Sequence, residues 1–412
     1  MLRLQQLLIV GMFLGALARV EALMTQESVV LGQRDCTVTV EPGQSIQQAI
    51  NEAPEGAVVC LGEGVFMANV VIAKSITLKG LGREQTILRS REPDRPVLFI
   101  RQEEIPIVVQ VERLHITGAR SNIPKYYCMQ EYESGKGCAI GVIVRGSISL
   151  SVRDVRIDNN DLRGLEINGP ASVSLQNVLI SSNGWEGIAF FSSGSLTLQS
   201  VEITDNYAGF FLTDGSARFA DVKVHNNRLG SLVTVQAQLT LEDSQISGSQ
   251  RGLTVAGVAH FRTVRTRFFG NIRGLVVLEA AHVTLEGAII ENNTEVGLDL
   301  RDSSKTTITK STVEANGAEP ACASVQMLCN GVLVQGEAQV TVQDSLIHAN
   351  ADWGLAAALQ QCGYSIDDFS GRVTFLGETH FEGNNTTSNQ NGMGNPGDHP
   401  FKALPDGQVC LP

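Results

Sequence analysis

The sequence predicts an all-β solenoid of about a dozen stacked coils, and three observations point to it. A turn of the form Asn-x-x-Gly returns at a nearly constant interval. Between turns, apolar and polar residues alternate. An amphipathic run precedes the repeat and a disulfide-ready tail follows it.

The turn glycine sets the interval. It falls at Gly141, Gly164, Gly187, Gly209, Gly230, Gly252, Gly274, Gly297, Gly331 and Gly354, spaced 21 to 23 residues apart except for one step of 34. Ahead of most of them stands Asn160, Asn183, Asn206, Asn227, Asn271, Asn293 or Asn350, with Ser249 once. Asparagine and glycine tolerate the left-handed backbone of a sharp corner. Stacked asparagines also hydrogen-bond along a column.

Within one period, Ser195 to Gly215, the pairs Leu196/Leu198, Val201/Ile203 and Phe210/Leu212 each point one way. Thr197, Glu202 and Phe211 point the other. That is three short strands of period two. One such coil cannot bury its apolar side alone, and stacked coils about 4.8 Å apart can. Ahead of the repeat, Ser45 to Ala53 places Ile46, Ala49, Ile50 and Ala53 on one helical face, with Ser45 and Gln48 as a capping box. A helix there plugs the N-terminal end of the core.

The stretches PGQSIQQAINEA and GVFMANVVIAKSITLKG, with coils ending in Asn-x-x-Gly, resemble the right-handed parallel β-helix superfamily, the pectin-lyase-like group. The resemblance spans roughly residues 37 to 385 and implies a right-handed parallel β-helix. The group holds lyases, hydrolases, esterases, epimerases and accessory proteins, so it does not choose an activity.

The domain reading follows. Residues 1–18 are a signal peptide, with Arg3, the apolar run Leu7 to Leu17 and an Ala16-Leu17-Ala18 cleavage site. Residues 19–36 lead in. Residues 37–361 form the β-helix, with insertions at about 119–139 and 317–330. Residues 362–412 form a capping strand and an irregular tail. The mature chain is expected to be secreted or periplasmic, with no membrane span. The formal net charge of -12 argues against nucleic acid as a general partner. Eight cysteines fit an oxidising compartment and fall as Cys36/Cys60, Cys128/Cys138, Cys322/Cys329 and Cys362/Cys410.

Catalytic motifs are missing. The Asp398-His399-Pro400 string lies in the tail. Asp221 and Asp243 share a column in adjacent coils, as do His260 and His282. The first couple suits paired-carboxylate chemistry or calcium. The column also holds Asp154, Asn177, Ser200 and Asp344, which reads as a turn wanting short polar side chains. The histidines lack a third metal ligand and read as turn residues. Lys223 and His225 beside Glu202 read as a solvated face. No catalytic residue, metal or cofactor is assigned.

The corner itself carries the functional signal. Trp185, Trp353, Tyr207, Arg163, Arg228, Arg251 and Arg273 fill it, and both insertions leave from it. The outward positions of the next strand are largely apolar: Ile143, Glu166, Ala189, Phe211, Leu232, Thr254, Val276, Asp299, Leu333 and Ala356. The chain covers this strip itself, the strip is a groove, or a protein partner docks on it. The expected ligand-binding set is Trp185, Tyr207, Phe211, Arg228, Leu232, Arg251, Arg273 and Trp353, with a polysaccharide or cell-surface glycan as partner. A polysaccharide-active enzyme and a structural or accessory scaffold are the alternatives. Glu166 and Asp299 lie six coils apart, about 29 Å, too far to act together.

Overall fold

A computed structural model describes residues 36–102, 105–122, 138–317, 329–362, 364, 368–384 and 409–411. The expected signal peptide, nearly all of the expected lead-in, most of both expected insertions, and Cys128 and Cys322 lie outside the described residues.

The chain winds as a right-handed parallel β-helix. Among the described residues, thirteen strands from Val70–Ile72 to Val409–Cys410 stack one per coil as sheet B, and 25 strands form sheet A. The ladders are parallel and in register, as where Leu165 to Asn168 lie on Ile188 to Phe191. In the coil of Ser195–Thr204, Leu196, Leu198, Val201 and Ile203 point inward and are at most 2% exposed. The turn between the two pairs is Ser200, at φ 53°. Each buried side chain of this size contributes about 1.5–3 kcal/mol, set against the entropy of ordering the coil. Phe210 and Phe219 meet edge to face in the core, ring centroids 5.2 Å apart.

The N-terminal helix spans Ile46–Glu52, and Ile46 and Ile50 bury into the core. Ser45 Oγ accepts the Gln48 N–H at 3.1 Å. The reciprocal half of the box is absent, because the Gln48 amide donates to Glu52 instead. The helix lies along the first strand of sheet B. There Gln47 Nε2 donates to Val71 O (3.0 Å) and the Val71 N–H donates to Gln47 Oε1 (2.8 Å). A side-chain amide thus supplies the hydrogen bonds of a missing strand.

The coils continue past residue 361. Arg372–Leu376 and His380–Glu382 pair with the preceding coil, and Val409–Cys410 pairs with Leu355 and Ala356. Asn384, in the corner column, and Val409, in sheet B, are the described residues on either side of 385–408. Cys36 is bonded to Cys60, and Cys362 to Cys410. Cys138 and Cys329 are disulfide-bonded as well.

Candidate functional site

The corner before sheet B is built on a column of buried asparagines. Asn183 donates its amide to Asn206 Oδ1 at 2.9 Å, Asn206 to Asn227 at 3.1 Å, Asn271 to Asn293 at 3.1 Å and Asn293 to Asn316 at 2.8 Å. Each Oδ1 also accepts the backbone N–H of the coil before, as Asn206 does from Asn183 at 3.0 Å. Asn316 and Asn384, hidden in sequence by the insertions, belong to the same column.

Two expectations for this corner need correction. The left-handed residue is usually the one before the ladder asparagine: Asn159, Ser182, Asp205, Asn226 and Asn292 have φ between 51° and 57°. The glycine after it mostly serves packing. A Cβ on Gly187 would stand 2.7 Å from Ile203 Cγ2 and 2.8 Å from Gly209 O.

The ladder has one break. Ser249 replaces the asparagine, and its hydroxyl turns back to Ser247 O. The Asn227 amide then bonds only to backbone, at Ile203 O and His225 O. A register shift between Gly230 and Ser231 marks the same place in sheet B. Arg228 and Arg251 flank it. Both are exposed, and neither has an ion-pair partner among the described residues.

Around this break the corner is aromatic and apolar. Trp185 stacks on Tyr207 with centroids 5.9 Å apart, and the Arg228 guanidinium lies 5.6 Å from the Tyr207 ring centre. Trp185 is 40% exposed, Leu229 40% and Ile272 41%. Phe211 and Leu232, adjacent in register, are half-buried on the outward face of sheet B.

The rest of the predicted strip is covered. Ile143 packs with Phe99, Ile140 and Leu162. Val276, Leu333 and Ala356 are at most 2% exposed. Glu166 is buried with Arg163, which also binds Glu186 at 2.7 Å. Burial opposes the charge on Arg163, and the two carboxylates outweigh it, raising its pKa. At the other end Asp299 is fully buried between Arg273 (3.1 Å) and Arg301 (2.6 Å), and Arg273 also binds Glu295 at 2.9 Å. Arg273 is therefore committed within the chain. Trp353 is only 4% exposed, packed with Leu359, Cys362 and Cys410, and its Nε1 donates to Cys362 O. These two residues leave the exposed set.

The family described as right handed beta helix region matches residues 133–257 and 208–386, more than half of the chain. The chain belongs to this family. No curated protein matches it. Among solved β-helix structures, the Azotobacter vinelandii mannuronan C-5 epimerase AlgE4 A-module is similar at 14% identity. That match covers 84% of this chain and 97% of that one with a TM-score of 0.55. The Agl-KA catalytic domain is similar at 10% identity, covering 82% and 63%, with a TM-score of 0.50. These are likenesses of fold.

On this β-helix the other sequence candidates occupy structural roles. Asp221 and Asp243 sit at φ 52° and 49°, in the same left-handed turn column as Asp154, Asn177 and Ser200. Asp243 is bidentate with Arg265 at 2.7 and 2.8 Å, and Ser200 Oγ donates to Asp221. His225 binds Glu202 at 2.9 Å. Among the described residues no three His, Cys, Asp or Glu converge on a metal-sized site. Sequence reasoning missed Asp352, which stands on the corner beside Trp353. Burial pushes its carboxyl up to about 6. The nearby Tyr364 hydroxyl is also raised by burial, and then by the charge of Asp352.

Proposed function

We propose that the protein is exported and binds an acidic polysaccharide or cell-surface glycan at the break in the asparagine ladder, without turning it over. The observation that carries this is the pair of exposed arginines, Arg228 and Arg251, which have no ion-pair partner among the described residues and stand beside the Trp185–Tyr207 stack and the half-open Phe211 and Leu232. Exposed guanidinium groups pair with carboxylates, and aromatic and apolar surfaces pack on sugar rings. Disulfides at both ends of the helix suit the oxidising compartment that export implies. No described helix is long and apolar enough to cross a membrane. The mannuronan named for the epimerase module offers a precedent for a polymer ligand on this fold.

An enzymatic reading has one observation in its favour. Asp352 has a carboxyl held near neutral pH on the same corner, four coils from Arg251 or about 19 Å along the axis. A carboxyl tuned in this way suits general acid–base work.

One experiment separates the two. The purified protein is passed over immobilised acidic and neutral polysaccharides and incubated with the soluble forms, and the products are examined by mass spectrometry. Retention with intact polymer supports the binder. New oligosaccharides, or altered sugar units in an intact chain, support the enzyme.

A further inference from the structure

Three of the described histidines each hold a carboxylate from a neighbouring coil. His115 meets Asp158 at 2.7 Å, His225 meets Glu202 at 2.9 Å and His348 meets Glu314 at 2.8 Å. His260 and His282 break this pattern. They open the strands His260–Val264 and His282–Glu286 and lie opposite each other in register. Both are exposed, with ring centroids 4.9 Å apart and planes tilted by 54°. Among the described residues neither imidazole has a hydrogen bond or an ion pair.

Two imidazoles set side by side repel each other when both are protonated. Burial, then His260, then Lys305 hold the His282 pKa below its ordinary value. His282 is therefore neutral at pH 7, and its ring keeps a lone pair that no protein donor fills. Asp214 lines the same hollow of about 500 Å³ as His260. Its carboxylate is fixed there by the Gly215 N–H at 2.7 Å and the Gln236 amide at 3.1 Å. Gln238, one coil before His260 in the column, adds an amide oxygen. Lys305, one coil after His282, opposes a cation and so favours the His260 side of the pair.

The geometry points to a transition-metal site at this edge of the β-helix, a copper(II) ion held by one nitrogen each of His260 and His282, with Gln238 and water as oxygen ligands. A metal–imidazole bond is about 2 Å long, so two nitrogens at right angles on one metal stand about 3 Å apart, within reach of rings at this spacing. Zinc in proteins takes three or four protein ligands, and among the described residues no third His, Cys, Asp or Glu converges here. Copper(II) is the divalent first-row ion that such sites bind most tightly, and it accepts a square of mixed nitrogen and oxygen donors. The site stands one turn beyond the strand Arg251–Val255, at the end away from Arg251, and does not depend on the glycan reading.

Copper(II) titrated into the whole protein tests it, with affinity read by calorimetry and the ligands by electron paramagnetic resonance. One site is expected, with a Kd of about 1 µM and hyperfine structure from two nitrogens. His260→Gln/His282→Gln is expected to lower the affinity about a hundredfold and erase the nitrogen signal, while His225→Gln changes neither. The two substituted side chains are exposed, so the melt of this variant without metal is expected to match the native one. On the native chain, copper(II) is expected to shield His260 and His282 from diethyl pyrocarbonate, read by mass spectrometry, while His380 reacts at its former rate. Copper bound as tightly by the double variant sits elsewhere on the chain and overturns the proposal. So do unshielded His260 and His282, zinc bound as tightly as copper, and a Kd above about 100 µM.

Discussion

The carbonyl oxygen of Arg251 lies 1.4 Å from where a Cβ on Gly230 would stand, and Gly230 holds φ 98°. The two backbones meet here because the sheet B register slips between Gly230 and Ser231. That slip presents Arg228 and Arg251 at the one broken rung of the ladder. Bulges of this kind re-aim side chains near functional sites. Gly230→Ala is expected to cost about 2–4 kcal/mol in denaturant unfolding. The same change in Gly270, which has open space around its Cβ position, is expected to cost less.

Asn206 uses its side chain five times, accepting from Asn183 twice and donating to Ile180 O, Thr204 O and Asn227 Oδ1. Asn206→Ala leaves the Asn183 N–H buried without its acceptor and breaks the side-chain ladder between Asn183 and Asn227. A loss of about 2–3 kcal/mol is expected in chemical denaturation. Ser249→Ala, at the broken rung, is expected to cost under about 1 kcal/mol.

The two tryptophans are expected to part company. Trp353→Ala removes a buried indole and its bond to Cys362 O, for about 3–5 kcal/mol. Trp185→Ala removes a ring that is 40% exposed, so melting is expected to change little while glycan affinity falls. Thermal melts paired with retention assays read both.

The raised pKa of Asp352 has a definite sign in stability. Its folded value, about 6, lies above its ordinary 3.8, so the folded state holds the proton more tightly. Its contribution is fully present below pH about 4 and is lost as pH rises through about 6. Asp352→Asn is therefore expected to stabilise the protein at pH 7.5, by up to about 3 kcal/mol, and to have little effect at pH 3.5. Melting both proteins across that range checks it.

Much of the fold was legible because each coil repeats the same physical problem. Alternating apolar residues mark the strands, and the Asn-x-x-Gly spacing marks the corners. Asn316 and Asn384 escaped notice because the segments beside them stretch the period. The packing role of Gly187 was also hidden, since only the next coil supplies the Ile203 methyl it must clear. The site was half legible. Trp185, Tyr207, Arg228 and Arg251 stand exposed on the corner or partly so. Arg273 and Trp353 carry the same local pattern, and contacts made from far along the chain remove them: Asp299 for the first, the Cys362–Cys410 closure for the second.

The most direct test of the corner site is the affinity of Arg228→Ala/Arg251→Ala for an acidic polysaccharide that retains the native protein. Surface plasmon resonance measures it at fixed salt, alongside a thermal melt. The expected result is an unchanged melt with about a tenfold loss of affinity, or about 1.4 kcal/mol. Native affinity in a folded double variant would contradict the account.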